Sequence, residues 1–179
     1  MSIKDSFTDD EWFLLSAMPG LIGAAMSNAA PSGIIGTIKE MSATMRASAQ
    51  AKYDHPESEL ISELITKAAN WEEAKEKAAD YRERAQAHVK SANVHNREDL
   101  QNMAVNDCRT AARLVEERCS EADAKVYKEW TINVARSVAE AAKEGSILGF
   151  GGERVSAPER ELLSRIEATL GIKSGLLLA

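Results

Sequence analysis

The stretch Glu57–Ala92, ESELISELITKAANWEEAKEKAADYRERAQAHVKSA, decides the fold class. Its apolar and small residues Ile61, Leu64, Ala68, Trp71, Ala74, Ala78, Tyr81, Ala85 and His88 recur at intervals of three and four. That is the period of one helix face; a half-buried strand would alternate at every second residue. Asp54 is placed to cap this helix, with Glu57 three residues on and Pro56 tolerated in a first turn. One helix from Glu57 to Ala92 would be roughly 54 Å long, against about 40 Å for the width of a compact chain of this length. The stretch therefore either breaks near Asn70 or projects as one arm of a long antiparallel hairpin turning near Val94 to Asn96.

The same period runs outward in both directions. Upstream, Thr8 or Asp9 caps a first helix carrying Trp12, Leu15, Leu21, Ile22 and Met26, which Pro19 should bend or split. A second helix presents Ile34, Ile38, Met41 and Met45 on one face. Downstream, Asn96–Asp99 opens a helix carrying Leu100, Ala104, Cys108, Ala111 and Val115. Ser120–Asp123 either caps a further helix or lies inside a continuous one, and Val126, Trp130, Val134 and Val138 follow until Gly145 stops the run. The last helix is the clearest: Ser156 and Glu159 form a capping box, Pro158 sits in the first turn, Leu162, Leu163, Ile166 and Leu170 form a stripe, and Gly171 ends it. With 29 alanines and four prolines in 179 residues, the chain reads as one all-α domain over residues 1–179, a bundle of about six to seven helices. An internal echo allows two pseudo-symmetric helical units, Glu11-Trp12 leading to Gly33–Gly36 and Glu129-Trp130 leading to Gly145–Gly149, with an offset that shifts by five residues between Trp12/Trp130 and Gly36/Gly149.

Charge and composition exclude several classes. The formal net charge is −6 and the basic residues are interleaved with acids, so nucleic acid is not the expected partner. Trp12–Ile38 carries no charge, but it is rich in Ala, Gly and Ser, which favours a central buried helix over a membrane hairpin or an oligomer interface. The opening MSIKDSFTDDEW has acids where a secretion signal needs bases. Cys108 and Cys119 are eleven residues apart, a rise of about 16 Å along a helix, and cannot bridge each other. Two reduced thiols in a cytoplasmic protein are expected.

No catalytic motif emerges, and no cofactor is expected. In Glu144–Leu163, EGSILGFGGERVSAPERELL, a Walker loop is excluded because no lysine follows the glycines. The segment reads as a hinge between two helices, with Ile147, Leu148 and Phe150 folded inward; an anion nest at Gly149–Gly152 is the lesser reading. No Glu-x-x-His pair or EF-hand spacing occurs. His88 reads as a packing residue rather than a metal ligand, His95 as a turn residue and His55 as a first-turn residue. Cys108 reads as an inert thiol, and Arg118 would lower the Cys119 pKa if both were exposed. Whether the chain holds a metal is left open.

Gly151–Gly171, GGERVSAPERELLSRIEATLG, resembles a helix-entry segment of TerB-like proteins, small all-helical bacterial domains linked to tellurite resistance and stress. In that family a glycine-containing acidic loop precedes a serine, a proline or acid, then glutamate and a Leu-Leu-x-x-Ile pattern. The resemblance implies an all-helical fold and, through the family's loop aspartates, a divalent metal; here glycines and Glu153 stand in place of those aspartates.

The resulting expectation is a soluble helical interaction or scaffold protein. The alternative is a small stress-related helical protein or enzyme using acidic side chains and a divalent metal. A protein partner or homodimer is expected, through the apolar run Trp12–Leu15 or the tail Leu176–Leu178.

Overall fold

The computed structural model describes residues 2–29, 33–66, 68–143 and 155–172, without the side chains of 33–41, 142 and 143. Among these residues the chain is all-α, with no strand. A 3-10 turn at Ile3–Ser6 precedes seven helices: α1 Asp9–Ser27, α2 Gly33–Asp54, α3 Glu59–Leu64, α4 Trp71–Ser91, α5 Arg97–Arg118, α6 Glu121–Lys143 and α7 Ala157–Leu170. The Gly145 stop, the inward-folding Ile147, Leu148 and Phe150, the Gly149–Gly152 nest and the tail Leu176–Leu178 lie outside the described residues.

Local chemistry starts most helices where the sequence places the starts. The Thr8 hydroxyl accepts from the Glu11 N–H and the Glu11 carboxylate accepts from the Thr8 N–H, closing a capping box. Phe7 and Trp12 flank it as a hydrophobic staple, ring centroids 5.8 Å apart. Asn70, Asn96 and Ser156 cap α4, α5 and α7, and Gly171 ends α7 at φ 66°. Ser120 accepts from the Asp123 N–H and starts α6 as a separate helix. One expected cap moves. Asp54 is the last residue of α2, and Ser58 caps α3 instead, because its hydroxyl both accepts from the Ile61 N–H and donates to Asp123 of α6.

Two helices organise the bundle. α6 packs against α1, α2, α3, α5 and α7, and lies closest along α2. α1 packs against α2, α5, α6 and α7. The part of the charge-free stretch that lies in α1 is therefore central, and no helix among the described residues is long and apolar enough to cross a membrane. Trp12, Phe13 and Leu14 pack partly buried on the chain's own core, and Leu15 is fully buried. The Trp12–Leu15 run is thus partly taken up by the chain's own core. Gly23 sets the α1–α2 distance, since a Cβ there would collide with Thr44.

Pro19 does not split α1; the helix is continuous from Asp9 to Ser27. A proline inside a helix removes the N–H that would bond the carbonyl four residues back, here Leu15. The missing donor comes from α6: the hydroxyl of Tyr127, 0% exposed, donates to the Leu15 carbonyl at 3.0 Å. Thr131, also buried, donates to the Tyr127 carbonyl one turn on, and Trp130 packs edge-on against the Tyr127 ring. The echo between Trp12 and Trp130 does not extend to position in the helix. Trp12 lies in the first turns of α1, whereas Trp130 sits mid-way along α6, because α6 begins at Glu121.

On α7 the expected stripe Leu162, Leu163, Ile166 and Leu170 is buried. Beside it the nearly inaccessible Glu167 carboxylate accepts from Arg136 of α6 at 2.8 Å. Burying a carboxylate is tolerable because it is paired.

Tyr127→Phe should cost about 1–3 kcal/mol by leaving the Leu15 carbonyl unsatisfied. In a Pro19→Ala background, where residue 19 regains its N–H, the same substitution should cost markedly less. Urea unfolding of the four variants in this cycle measures the coupling; equal costs in both backgrounds would show that the Leu15 carbonyl is not what Tyr127 serves.

Candidate interaction surface

α4 differs from every other long helix: none of its residues is buried. Its amino acids are good helix formers, and Asn70 caps it, while Asn93 at φ 52° closes its C-terminal turn in the left-handed region. The break from α3 to Asn70 resolves the length conflict in favour of two helices. The face read from Ile61 to His88 is real only in part. Ile61 is buried, but Trp71 is 73% exposed and Ala78 is exposed. Periodicity identifies a face without saying what covers it, and alanine contributes too little apolar area to force burial.

Val89 packs partly buried against the core, and three further side chains tie α4 to the bundle. Tyr81 stacks obliquely on Phe13 at 5.9 Å, and its hydroxyl reaches the Ala17 carbonyl at 3.4 Å. The close passage requires Gly20, where a Cβ would meet that phenol. Desolvation there raises the Tyr81 pKa. Arg84 donates to the Asp9 carbonyl and to Asp10, both at 3.0 Å, with its guanidinium 4.4 Å above the Phe13 ring. His88 meets Asp107 of α5 at 2.7 Å. His88 is therefore a tie between helices, as a packing residue should be, and His95 lies in the turn before Asn96. His55 lies in the turn between α2 and α3, 3.4 Å from the Glu57 carboxylate.

Arg118 repeats the Arg84 pattern at the other side of the α1 N-terminus. It donates to the Ser6 carbonyl at 2.9 Å, pairs bidentately with Glu11 at 2.7 and 2.8 Å, and lies 5.6 Å from the Phe7 ring. This corrects the reading of Cys119. Arg118 is turned to Glu11, and burial, then Asp123, push the Cys119 thiol up to about 11. Cys108 is fully buried and pushed up to about 12, mainly by burial. Neither thiol is activated as a nucleophile, and both are free.

The His88–Asp107 pair borders a shallow cleft of about 270 Å³ lined by Asn93, Asp99, Asn102, Met103 and Asn106. Several of its polar oxygens are already engaged. Asp99 accepts from the His95 N–H, Asn102 from Arg165, and Asn106 from Arg109. Among the described residues no group of three or more His, Cys, Asp or Glu side chains is placed to hold a metal ion.

Other exposed apolar groups lie on α2, where Met45 and Tyr53 are 70% and 66% exposed. Met45 was expected on the packed face with Ile34, Ile38 and Met41, whose side chains lie outside the described residues. The α2 surface that meets the core instead includes Ala47 and Ala51. No protein-family model, curated protein or solved structure matches this chain.

Two measurements test these ties. Arg84→Ala should raise amide exchange across 71–91 by about fivefold, an opening made about 1 kcal/mol easier, while protection of α1, α5 and α6 changes little. Glu11 tests the other arginine. Arg118, then the Thr8 N–H, hold its carboxyl at about 2 against a usual 4.5. A depressed folded pKa stabilises the fold above the unfolded value and loses that contribution as pH falls through the folded one. Glu11→Gln, which keeps the cap, should lower the melting temperature at pH 7, and its gap from the unsubstituted chain should close between pH 4.5 and 2.

Proposed function

We propose that this chain is a helical interaction or scaffold module that holds α4 away from its core as the element a protein partner binds. One observation carries the reading: a capped 21-residue helix that buries none of its own residues, while α1, α5 and α6 bury theirs. A chain retains an ordered, exposed helix at an entropic cost that its own packing does not offset. The surface of α4 is mixed in sign, with Glu72–Lys75 and Glu73–Lys77 pairs, which suits a protein partner better than a phosphate backbone. The raised pKa values of both thiols accord with inert cysteines in a reducing, cytoplasmic setting.

A TerB-like stress role with a divalent metal is the second reading, supported by the capped helix at Ser156–Gly171 that carries the resemblance. Native mass spectrometry of protein purified without chelator tests it: a stoichiometric ion supports the metal, and none across Mg, Ca, Mn and Zn removes it.

For the leading reading, a photo-reactive residue at position 79 on the outer side of α4 should give a discrete cross-linked species in cells. The same group at exposed Thr110 of α5 should not. Trp71→Ala should weaken the cross-link without lowering the melting temperature. No adduct from position 79 would remove α4 as the binding element.

A further inference from the structure

We infer that α4 binds the α4 of a second copy of this chain, antiparallel, about a two-fold axis passing near Ala79. This rests on the reading of α4 as the binding element and names its partner. Tyr81, Arg84 and His88 fix which side of α4 faces the bundle. The opposite side carries Lys75, Glu76, Ala79, Arg82 and Glu83, all exposed, at the helical spacing that makes one face.

The charges on this face are self-complementary about its centre. A two-fold axis at Ala79 sets each residue against the one equally far on the other side of position 79. Glu76 then meets Arg82 of the second copy, and Lys75 meets Glu83 of the second copy. Each pairing occurs twice, as an isologous interface requires. A parallel arrangement in register would oppose Glu76 to Glu76 and Arg82 to Arg82, so the charges select the antiparallel one. Glu76, Arg82 and Glu83 make no ion pair with any described residue of their own chain. Lys75 already holds Glu72 at 2.8 Å, so it exchanges one partner for another and contributes less. Ala79 at the centre lets two helix backbones approach closely. Trp71, exposed on its own chain, comes opposite the small Ala87 of the second copy. The association is expected to be weak and salt-dependent, because exposed ion pairs are screened.

Sedimentation equilibrium of the full chain in roughly 50 mM salt, at up to about 300 µM protein, tests the inference. The expected result is a concentration-dependent dimer that loosens several-fold as salt rises. Glu76→Arg should weaken it by about tenfold or more, since two arginines now oppose each other twice. The double variant Glu76→Arg with Arg82→Glu should restore it, because swapping both charges preserves the complementarity. Glu83→Lys and its swap with Lys75→Glu read the same geometry through the second pair, should a Glu76 variant fail to fold. A monomer throughout this range, or a dimer indifferent to Glu76→Arg, overturns the inference. If the chain stays monomeric while the position-79 cross-link captures a different protein, this pairing fails and the binding-element reading stands.

Discussion

The hydrogen bond from Tyr127 to the Leu15 carbonyl is the constraint around which the bundle is arranged. Pro19 leaves a carbonyl without its helical donor in the interior, where an unsatisfied polar group costs about 1–3 kcal/mol. Serving it requires α6 to cross α1 at a fixed height with Tyr127 inward. Thr131 and Trp130 then fall into place around that ring, and α2, α5 and α7 pack on the two joined helices. A helix interruption that looks like a defect in the sequence thereby sets the register between α1 and α6.

The periphery is held by different physics. Arg84 and Arg118 each combine a backbone carbonyl, a carboxylate and an aromatic face at the start of α1. Such contacts orient an element while leaving it wet. α4 is attached this way, with no buried side chain, whereas α5 and α6 are attached by continuous apolar faces. The molecule therefore has a firm interior and one helix anchored by a few partly exposed contacts, polar and aromatic together. That division leaves the outer face of α4 exposed.

Much of this was legible in the sequence, and the misses have physical causes. Thr8, Asn96, Ser156 and Gly171 were readable because a cap is settled within four residues of chain. Asp54 lost to Ser58 because a distant residue, Asp123, decided between two locally acceptable caps. The helix over 71–91 was readable, but not its exposure, since alanine is at home on either side of a helix. Tyr127 was missed altogether, in a segment read from its neighbour Val126 and from Trp130. Its signal was Pro19 itself, which in a buried helix implies a donor from elsewhere. The apolar run Trp12–Leu15 is partly taken up by the core, which its sequence alone does not reveal.

The same hydrogen bond spans 112 residues, and this has a consequence for synthesis. α1, the most apolar segment, leaves the ribosome long before α5 and α6 exist. At about 5–20 residues per second, on the order of ten seconds separate Leu15 from Tyr127. During that interval Leu15, Met18, Ile22 and Met26 have no core to enter, and the carbonyl opened by Pro19 has only water. The acids Asp9, Asp10 and Glu11 just ahead of this segment keep its leading end solvated while the nascent chain waits for its second half.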